Sequence, residues 1–368
     1  MATVKPKNIL IAPLDWGLGH TTRCIPLIRH IQQLGHNPIV AGNASQRAFI
    51  QQTMGASVAT VHLDGYNVTY SKWNKAAQAG LLAQLPRIAA TIAREHNWLQ
   101  QQAAALQLHG VIADNRYGLY HARLPSAIIT HQLQVLTGMG PLADRAAQLL
   151  HYRLLRRYTA IWVADAADIA SNLGGRLSHP ARLPGQSEYL GLLSRFSPAQ
   201  ARQEPEARGT LMILLSGPEP QRSNLARILW GQALAHKGAV IFIEGNDTVV
   251  APSYIPPHIT YRKRLTDAGL APLLMAADMV ICRSGYSTIM DLAALQKKAI
   301  LIPTPGQTEQ LYLARHLHAQ GMYYSAGQDG FDMQQALAEA AIFPYHPTGL
   351  AAQYSSYKPV LDTWLQQL

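Results

Sequence analysis

Glycine and polar residues gather in loops that follow short apolar runs, and the first of these loops holds a histidine at the start of a predicted helix. Residues 15–23 read Asp-Trp-Gly-Leu-Gly-His-Thr-Thr-Arg. Gly17 and Gly19 let the backbone approach a ligand, and a helix that begins beside them points its positive end toward an anion. A positioned histidine such as His20 can remove a proton from a hydroxyl group. The alternative is that His20 only closes the first turn of the helix.

This loop lacks the fingerprints of two common nucleotide sites. A dinucleotide fingerprint needs a third glycine, where this chain has Thr22, and an acid near the end of the next strand, where it has Gly42 and Asn43. A phosphate-binding P-loop needs Gly-Lys-Ser/Thr, which does not follow. The sequence therefore argues against a dehydrogenase and against a P-loop nucleotide hydrolase.

A second loop is suited to a nucleotide diphosphate. Cys282 is followed by Arg283, Ser284 and Gly285, and a helix opens at once, so that free backbone N–H groups and the helix dipole face the loop. Asp291 lies about one and a half turns into that helix, where a carboxylate can accept hydrogen bonds from a ribose diol. The alternative for Asp291 is an acid that is solvated or that compensates the helix dipole.

Further loops after strands carry groups that fit phosphate, sugar or proton transfer, although each alone could be ordinary turn chemistry. Asp114 follows a strand in the first half and is the second candidate base. The loop of residues 216–222 is a candidate phosphate-facing turn, and the loop of residues 303–310 offers donors and acceptors for sugar hydroxyls. Their candidate residues are Ser216, Gly217, Arg222, Gln307, Glu309 and Gln310.

The elements that position these loops alternate between strand and helix along the whole chain. Buried parallel strands are predicted at Asn8–Ala12, Pro38–Ala41, Ser57–His62, Gly110–Ala113, Ala127–Thr130, Ala160–Val163, Thr210–Leu215, Ala239–Ile243, Asp278–Cys282 and Ala299–Ile302, and one further strand is predicted at Tyr189–Leu193. Apolar strands that are each followed by a helix indicate parallel sheets covered on both faces. The prediction is an α/β protein with two doubly wound Rossmann-like domains in tandem.

We expect an N-terminal acceptor domain over residues 1–164 and a linker over 165–184. A nucleotide-sugar-binding domain is expected over 185–345, followed by a C-terminal helix over 346–368 that packs on its own domain or crosses to the first one. In parallel sheets, ligands bind beyond the carboxyl ends of the strands, which is where the loops above lie.

The amino-acid composition and the net charge indicate what class of partner the protein binds. The chain has 368 residues, 48% hydrophobic and 14% charged, which is typical of a packed globular protein. Residues 1–160 hold 15 Lys and Arg against 5 Asp and Glu, and this excess accounts for the net charge of +10. An anionic partner is therefore expected for the first domain. Nucleic acid is disfavoured, because the basic residues are dispersed and no reading module is present.

The chain is expected to be cytoplasmic. The two cysteines, Cys24 and Cys282, are far apart, no apolar run is long enough to span a bilayer, and the N-terminus lacks a cleavage pattern. Arg153, Arg156 and Arg157 cluster beside Leu149 and Leu150, Leu154 and Leu155 on one predicted helix. This helix either touches the inner face of an anionic membrane or is a core helix with a solvated cationic side.

The sequence resembles the GT-B glycosyltransferases in three places. These are the loop of residues 282–291, the segment Gln307-Thr308-Glu309-Gln310 and the opening loop with its glycines and histidine. The similarity is greatest to the family 28-like branch around the bacterial enzymes that add N-acetylglucosamine to lipid-linked peptidoglycan precursor. It implies two Rossmann-like domains facing across a cleft, with a UDP-sugar held mainly by the second. Ser284 and Gly285 would face the diphosphate, Asp291 the ribose, Gln310 the sugar, and backbone near Arg264 and Leu265 the uracil.

The resemblance implies an inverting, metal-independent glycosyltransferase without a resident cofactor, the UDP-sugar being a co-substrate. His20 matches the family histidine that acts as a base or orients the reacting groups. The acceptor would be a glycan or a lipid-linked molecule of the cell envelope. The alternatives are a nucleotide-sugar hydrolase, a UDP-sugar 2-epimerase, or a non-catalytic protein that binds nucleotide sugars.

Overall fold

The computed structural model describes residues 5–66, 76–199, 209–346 and 349–368, with residues 76–85 described by backbone alone. It divides into two compact units, Met1–Arg195 with Ala352–Leu368, and Phe196–Ala351. Residues 1–4, 67–75, 200–208 and 347–348, which the predicted domains include, lie outside the described residues.

The first unit is built on a parallel sheet with the strand order β3-β2-β1-β4-β5-β6-β7. Its strands are β1 Asn8–Pro13, β2 Asn37–Gly42, β3 Ala59–His62, β4 Leu108–Asp114, β5 Ser126–Thr130, β6 Ala160–Val163 and β7 Ser187–Tyr189. The order reverses between β1 and β4, and ligands of such sheets bind outside the carboxyl ends of the strands at that point.

Helices cover this sheet because its strands are apolar on both faces. They are α1 Gly19–Gln33, α2 Ala44–Met54, α3 Ala76–Ala105, α4 Pro141–Leu155 and, from the end of the chain, α10 Tyr357–Gln366. Local sequence fixes some of their ends. The side chain of Asn43 accepts from the backbone N–H of Gln46, whose own side chain accepts from the backbone of Asn43, so a capping box starts α2.

The boundary between the units lies further along the chain than predicted. The expected linker of residues 165–184 belongs to the first unit, which continues to Arg195. Asp165 is fully buried, and its carboxylate accepts from the backbone N–H groups of Leu173 and Gly174 and from the hydroxyl of Ser178. These bonds fold the segment onto the first unit, and β7 then extends its sheet.

The last helix also belongs to the first unit. His30 Nε2 lies 2.7 Å from a carboxylate oxygen of Asp362, and the Lys7 ammonium donates to the carbonyl of Leu365 over 2.8 Å. The ring of Trp364 packs edge-on against that of Trp162, with 5.5 Å between centroids. The end of the chain therefore helps to form the hydrophobic core of the N-terminal half.

The second unit repeats the architecture, with the parallel order β10-β9-β8-β11-β12-β13. Its strands are β8 Leu211–Leu214, β9 Val240–Ile243, β10 Ile259–Arg262, β11 Met279–Cys282, β12 Ala299–Leu301 and β13 Tyr324–Ser325. Its helices are α5 Gln221–Ala233, α6 Asp267–Ala276, α7 Tyr286–Ala294, α8 Thr308–Ala319 and α9 Met333–Ile342. Within the described residues, no helix combines the length and the apolar character needed to cross a bilayer.

Candidate active site

The first candidate site lies at the carboxyl edge of the first sheet. Asp114 ends β4, which pairs with β1 on one side and β5 on the other. Helix α1 begins at Gly19, so that His20 lies in its first turn and Arg23 one turn later. His131 follows β5 directly. Because parallel strands end at one edge, four side chains from three separate segments of the sequence are brought together.

Asp114 and Arg23 form a buried ion pair at the centre of this group. The side chain of Asp114 is 0% exposed and that of Arg23 is 1% exposed. Arg23 Nε donates to Asp114 Oδ2 over 2.6 Å, and Arg23 Nη2 donates to the other oxygen. Burial alone would raise the pKa of Asp114, but the charge of Arg23 and the contact with His20 outweigh it and hold that pKa well below its usual range. The carboxylate is therefore ionised.

His20 lies over this ion pair. Its Nδ1 is 2.9 Å from Arg23 Nη2 and 3.2 Å from Asp114 Oδ2, and its side chain is 14% exposed. Burial and the charge of Arg23 lower the pKa of His20 below its ordinary value, against the opposing effect of Asp114. The imidazole is therefore neutral near pH 7. Within the described residues its Nε2 makes no hydrogen bond, so this nitrogen can face a substrate.

The two candidate bases of this unit, His20 and Asp114, differ in whether they can reach a bound acceptor. Asp114 is fully buried and both its oxygens bind Arg23, so it does not reach a bound acceptor, and its predicted role as an alternative base is wrong. It lies behind His20 instead. Gly17 is exposed with φ +79°, a conformation that favours glycine, and Gly19 is the first residue of α1.

The sequence alone did not identify Arg23 and His131 as members of this group. Arg23 Nη1 lies 3.1 Å from His131 Nδ1, and His131 is buried. The i, i+3 spacing of His20 and Arg23 was a usable signal, because it puts both on one helix face. The pairing with Asp114, 91 residues away, was visible only in the structure.

The second candidate site is the N-terminus of α7 in the second unit. Gly285 is the N-cap residue, with φ −76° and ψ 134°, and no side chain caps the helix. A Cβ placed on Gly285 would meet nothing within 4 Å. The first turn of α7 therefore opens onto free space. A helix start of this kind can hold an anionic oxygen with its backbone N–H groups.

Two predicted diphosphate contacts next to Gly285 are directed into the protein. Ser284 is fully buried and its hydroxyl donates to the carbonyl of Gln310 over 2.9 Å. Arg283 is 1% exposed and donates to the carbonyls of Ile302, Pro303 and Gln221 and to the side chain of Gln328. Burial lowers the pKa of Arg283 to about 10. These side chains hold the surrounding loops in place, and only backbone here is left to face a phosphate.

The side chain of Arg222, which was predicted to face a phosphate, also bonds to other residues of its own unit. Its guanidinium donates to Glu219 over 2.8 Å and to Glu244 over 2.5 Å, and its side chain is 2% exposed. Because two carboxylates already bind this cation, the prediction is wrong for its side chain. Ser216 is half-buried, and Gly217 is exposed with φ +104°, so the turn itself remains open.

The remaining predicted contacts lie in α7 and at the start of α8. Asp291 is buried at 8% exposure in α7. Gln310 is buried and accepts from the backbone N–H of Thr304 over 2.9 Å, whereas Gln307 and Glu309 are half-buried at the start of α8.

Arg264 and Leu265, expected near the uracil, follow β10 and are half-buried. Arg264 pairs with Asp247 over 2.8 Å. In the part of the chain that the structure describes, no group of three or more His, Cys, Asp or Glu side chains is placed to hold a metal ion.

Residues 267–340, from α6 to α9, match the glycosyltransferase family 28 C-terminal domain. This segment contains Gly285, Asp291 and the whole loop of residues 303–310. The resemblance predicted from those residues is therefore confirmed for this part of the chain.

A relative in Desulforudis audaxviator (strain MP104C) is 42% identical over 91 residues, which cover 24% of this chain and 24% of the relative. It is named as UDP-N-acetylglucosamine--N-acetylmuramyl-(pentapeptide) pyrophosphoryl-undecaprenol N-acetylglucosamine transferase. The match thus spans about a quarter of the length of that relative.

Solved glycosyltransferases share the fold over 98–99% of this chain. SnogD from Streptomyces nogalater is 15% identical, with a TM-score of 0.64 and 99% of each chain covered. MurG of Acinetobacter baumannii is 14% identical, with a TM-score of 0.55, 98% of this chain and 100% of that chain being covered. The predicted GT-B fold, with two Rossmann-like α/β units, is confirmed.

Proposed function

We propose that this chain is an inverting, metal-independent glycosyltransferase that moves a hexose or N-acetylhexosamine from a UDP-sugar to an acceptor hydroxyl. The acceptor would be a lipid-linked molecule or a glycan of the cell envelope. The observation that carries the proposal is the open N-terminus of α7 inside the family 28 domain. The transferase name of the 42% identical relative supports the choice of donor and acceptor.

The second unit would bind the donor. Transfer leaves a nucleoside diphosphate, and its developing negative charge must be stabilised. The backbone N–H groups at Gly285 and the positive end of α7 supply a preorganised site for that charge. The carboxylate of Asp291, on the same helix, would accept hydrogen bonds from the ribose, and Gln307, Glu309 and Gln310 would contact the sugar from the neighbouring loop.

The first unit would bind the acceptor and receive its proton. In the tautomer with a proton on Nδ1, His20 donates to Asp114 and presents the lone pair of Nε2 outward. As the acceptor oxygen forms its bond to the anomeric carbon, the bond to the UDP oxygen breaks. The hydroxyl proton passes to Nε2, and ionised Asp114 stabilises the imidazolium that results. One displacement of this kind inverts the anomeric carbon.

The direct test is incubation with UDP-sugars and candidate acceptors, followed by mass spectrometry of the products. Transfer should survive EDTA and should fall about 10²- to 10⁴-fold in His20→Ala, the usual contribution of a positioned base. His62→Ala is the matched control, because His62 is an exposed histidine of the same unit. Undiminished transfer in His20→Ala would remove the histidine from the mechanism.

The same incubation separates the alternatives. Free sugar formed without an acceptor would indicate a hydrolase. A changed sugar still attached to UDP would indicate a 2-epimerase. Binding without turnover across the acceptor series would indicate a non-catalytic nucleotide-sugar-binding protein.

We also propose a peripheral membrane contact, which would place the protein at the inner face of the plasma membrane. Helix α4 exposes Leu142, Leu149 and Leu150, at 87%, 65% and 54%. Arg145 and Arg153 are exposed on the same helix. Leucines flanked by arginines fit an anionic lipid surface, with apolar burial and charge attraction acting together. Leu155, predicted on this face, is fully buried instead.

Sedimentation with vesicles tests this contact. The protein should bind phosphatidylglycerol vesicles at low salt and release them at high salt, and neutral phosphatidylcholine vesicles should bind less. Leu149→Ser should weaken binding, whereas Leu234→Ser, at an exposed leucine of the second unit, should not. Absence of binding to anionic vesicles at low salt would leave a water-soluble acceptor as the substrate.

A further inference from the structure

Arg23 makes more contacts than an ion pair with Asp114 requires. Its guanidinium meets groups from three elements: Asp114 at the end of β4, His20 in the first turn of α1, and His131 after β5. A lysine or a singly bonded arginine would neutralise Asp114 equally well. The planar fork of arginine can hold a carboxylate with two donors and still bring its positive charge close to a further neighbour. That neighbour is His20, whose Nδ1 lies 2.9 Å from Arg23 Nη2. In the tautomer that donates from Nδ1 to Asp114, Arg23 acts on the imidazole through this nearby charge and not through a hydrogen bond.

The charges around His20 show what this contact does. Its Nδ1 faces a cation, Arg23, and an anion, Asp114, at nearly equal distances, with His131 beyond Arg23. The thiol of Cys24 also faces Asp114, at 3.8 Å, and burial raises the pKa of this thiol well above its ordinary value, so it stays neutral. Without Arg23, Nδ1 would face only the carboxylate. A histidine beside a buried carboxylate is readily protonated, and an imidazolium cannot accept a proton.

We propose that Arg23 is a positioning residue for His20, which holds the imidazole in its neutral form and aims Nε2 away from the ion pair. This inference rests on the proposed role of His20 in glycosyl transfer. Arg23 itself does not touch the reacting groups, because it is buried behind His20. Its effect on catalysis passes through the orientation and protonation of the imidazole.

Titration of His20 by NMR, without substrate, tests the proposal. The His20 ring signal is assigned by its loss in His20→Gln. In Arg23→Met its midpoint should rise by roughly one to three pH units, the range for loss of a nearby charge. Arg29→Met is the matched control, because Arg29 lies on α1 but donates to the carbonyl of Arg195 instead. Its midpoint should equal that of the wild-type protein.

Arg23→Lys keeps the test decisive if the methionine variant fails to fold. A lysine can neutralise Asp114, but its compact charge would sit on the carboxylate and not extend to Nδ1 as the guanidinium does. The midpoint should therefore still rise, by less than in Arg23→Met. An unchanged midpoint in Arg23→Lys and in any folded Arg23→Met would overturn the proposal.

The kinetics of sugar transfer give a second test of the role of Arg23. The acid limb of the pH profile of kcat/KM should move upward with the NMR midpoint, while the KM for the donor stays unchanged. An acid limb that stays in place while the NMR midpoint moves would overturn the link to catalysis. A protein whose His20 midpoint moves as expected but that transfers no sugar would refute the proposed function and leave the role of Arg23 toward His20 intact.

Discussion

Gly285 offers a substitution that should separate folding from donor binding. As the N-cap of α7 it has the extended backbone that suits aspartate and asparagine, and its missing Cβ leaves open space. In Gly285→Asp the side chain can accept from the first-turn N–H groups, and its charge compensates the helix dipole. We expect the free energy of unfolding to rise by about 0.5–1 kcal/mol. Gly285→Asn, which caps without charge, should gain a few tenths.

Donor binding should change in the opposite direction. A carboxylate at position 285 would lie roughly 4–8 Å from a bound phosphate, and at an effective dielectric constant of about 20 each pair of unit charges costs about 2–4 kcal/mol. The dissociation constant for UDP should therefore rise about 30- to 1,000-fold in Gly285→Asp, and by much less in Gly285→Asn. Calorimetric titration with UDP, beside thermal unfolding, measures both effects. A stable Gly285→Asp that binds UDP as tightly as wild type would refute the placement of the diphosphate.

Three further predictions concern residues around the two sites. Ser284→Ala should cost about 1 kcal/mol of stability, through the lost bond to Gln310, and leave the dissociation constant for UDP within about threefold, measured by calorimetry. Trp364→Ala should cost about 3–5 kcal/mol in chemical denaturation, because it leaves a cavity beside Trp162; a loss below about 1 kcal/mol would contradict the packing of α10. Burial lowers the pKa of His151 to about 4. As the pH falls from about 6.5, this histidine therefore takes up a proton in the unfolded chain before it does so in the folded protein. The free energy of unfolding should therefore decrease by up to about 3 kcal/mol down to pH 4, and a pH slope unchanged in His151→Gln would contradict this assignment.

The strands that support both sites could be predicted from sequence because buried parallel strands are continuous apolar runs. Leu211–Leu214 and Met279–Cys282 are of this kind. Ile259–Arg262 was missed, because only two of its four side chains are buried and it lies at the edge of its sheet. Tyr324–Ser325 is too short to give a pattern.

Among the site residues, too, some could be predicted from the sequence and others could not. Glycine positions and helix starts are local features, so Gly17, Gly217 and Gly285 could be located from sequence alone. The partners of charged side chains are not local. Arg222 and Arg283 had the residue type and the position of phosphate ligands, and only the fold shows that carboxylates and carbonyl groups already bind them. The ion pair of Arg23 and Asp114 could not be predicted from the sequence for the same reason.

We propose that α7 binds the diphosphate of a nucleotide sugar at its N-terminus. A crystal structure of the protein soaked with UDP tests it most directly. We expect phosphate oxygens within hydrogen-bond distance of the backbone N–H groups at Gly285 and Tyr286, with the ribose beside Asp291. A nucleotide bound with its phosphates on any other loop, leaving the start of α7 empty, would contradict it.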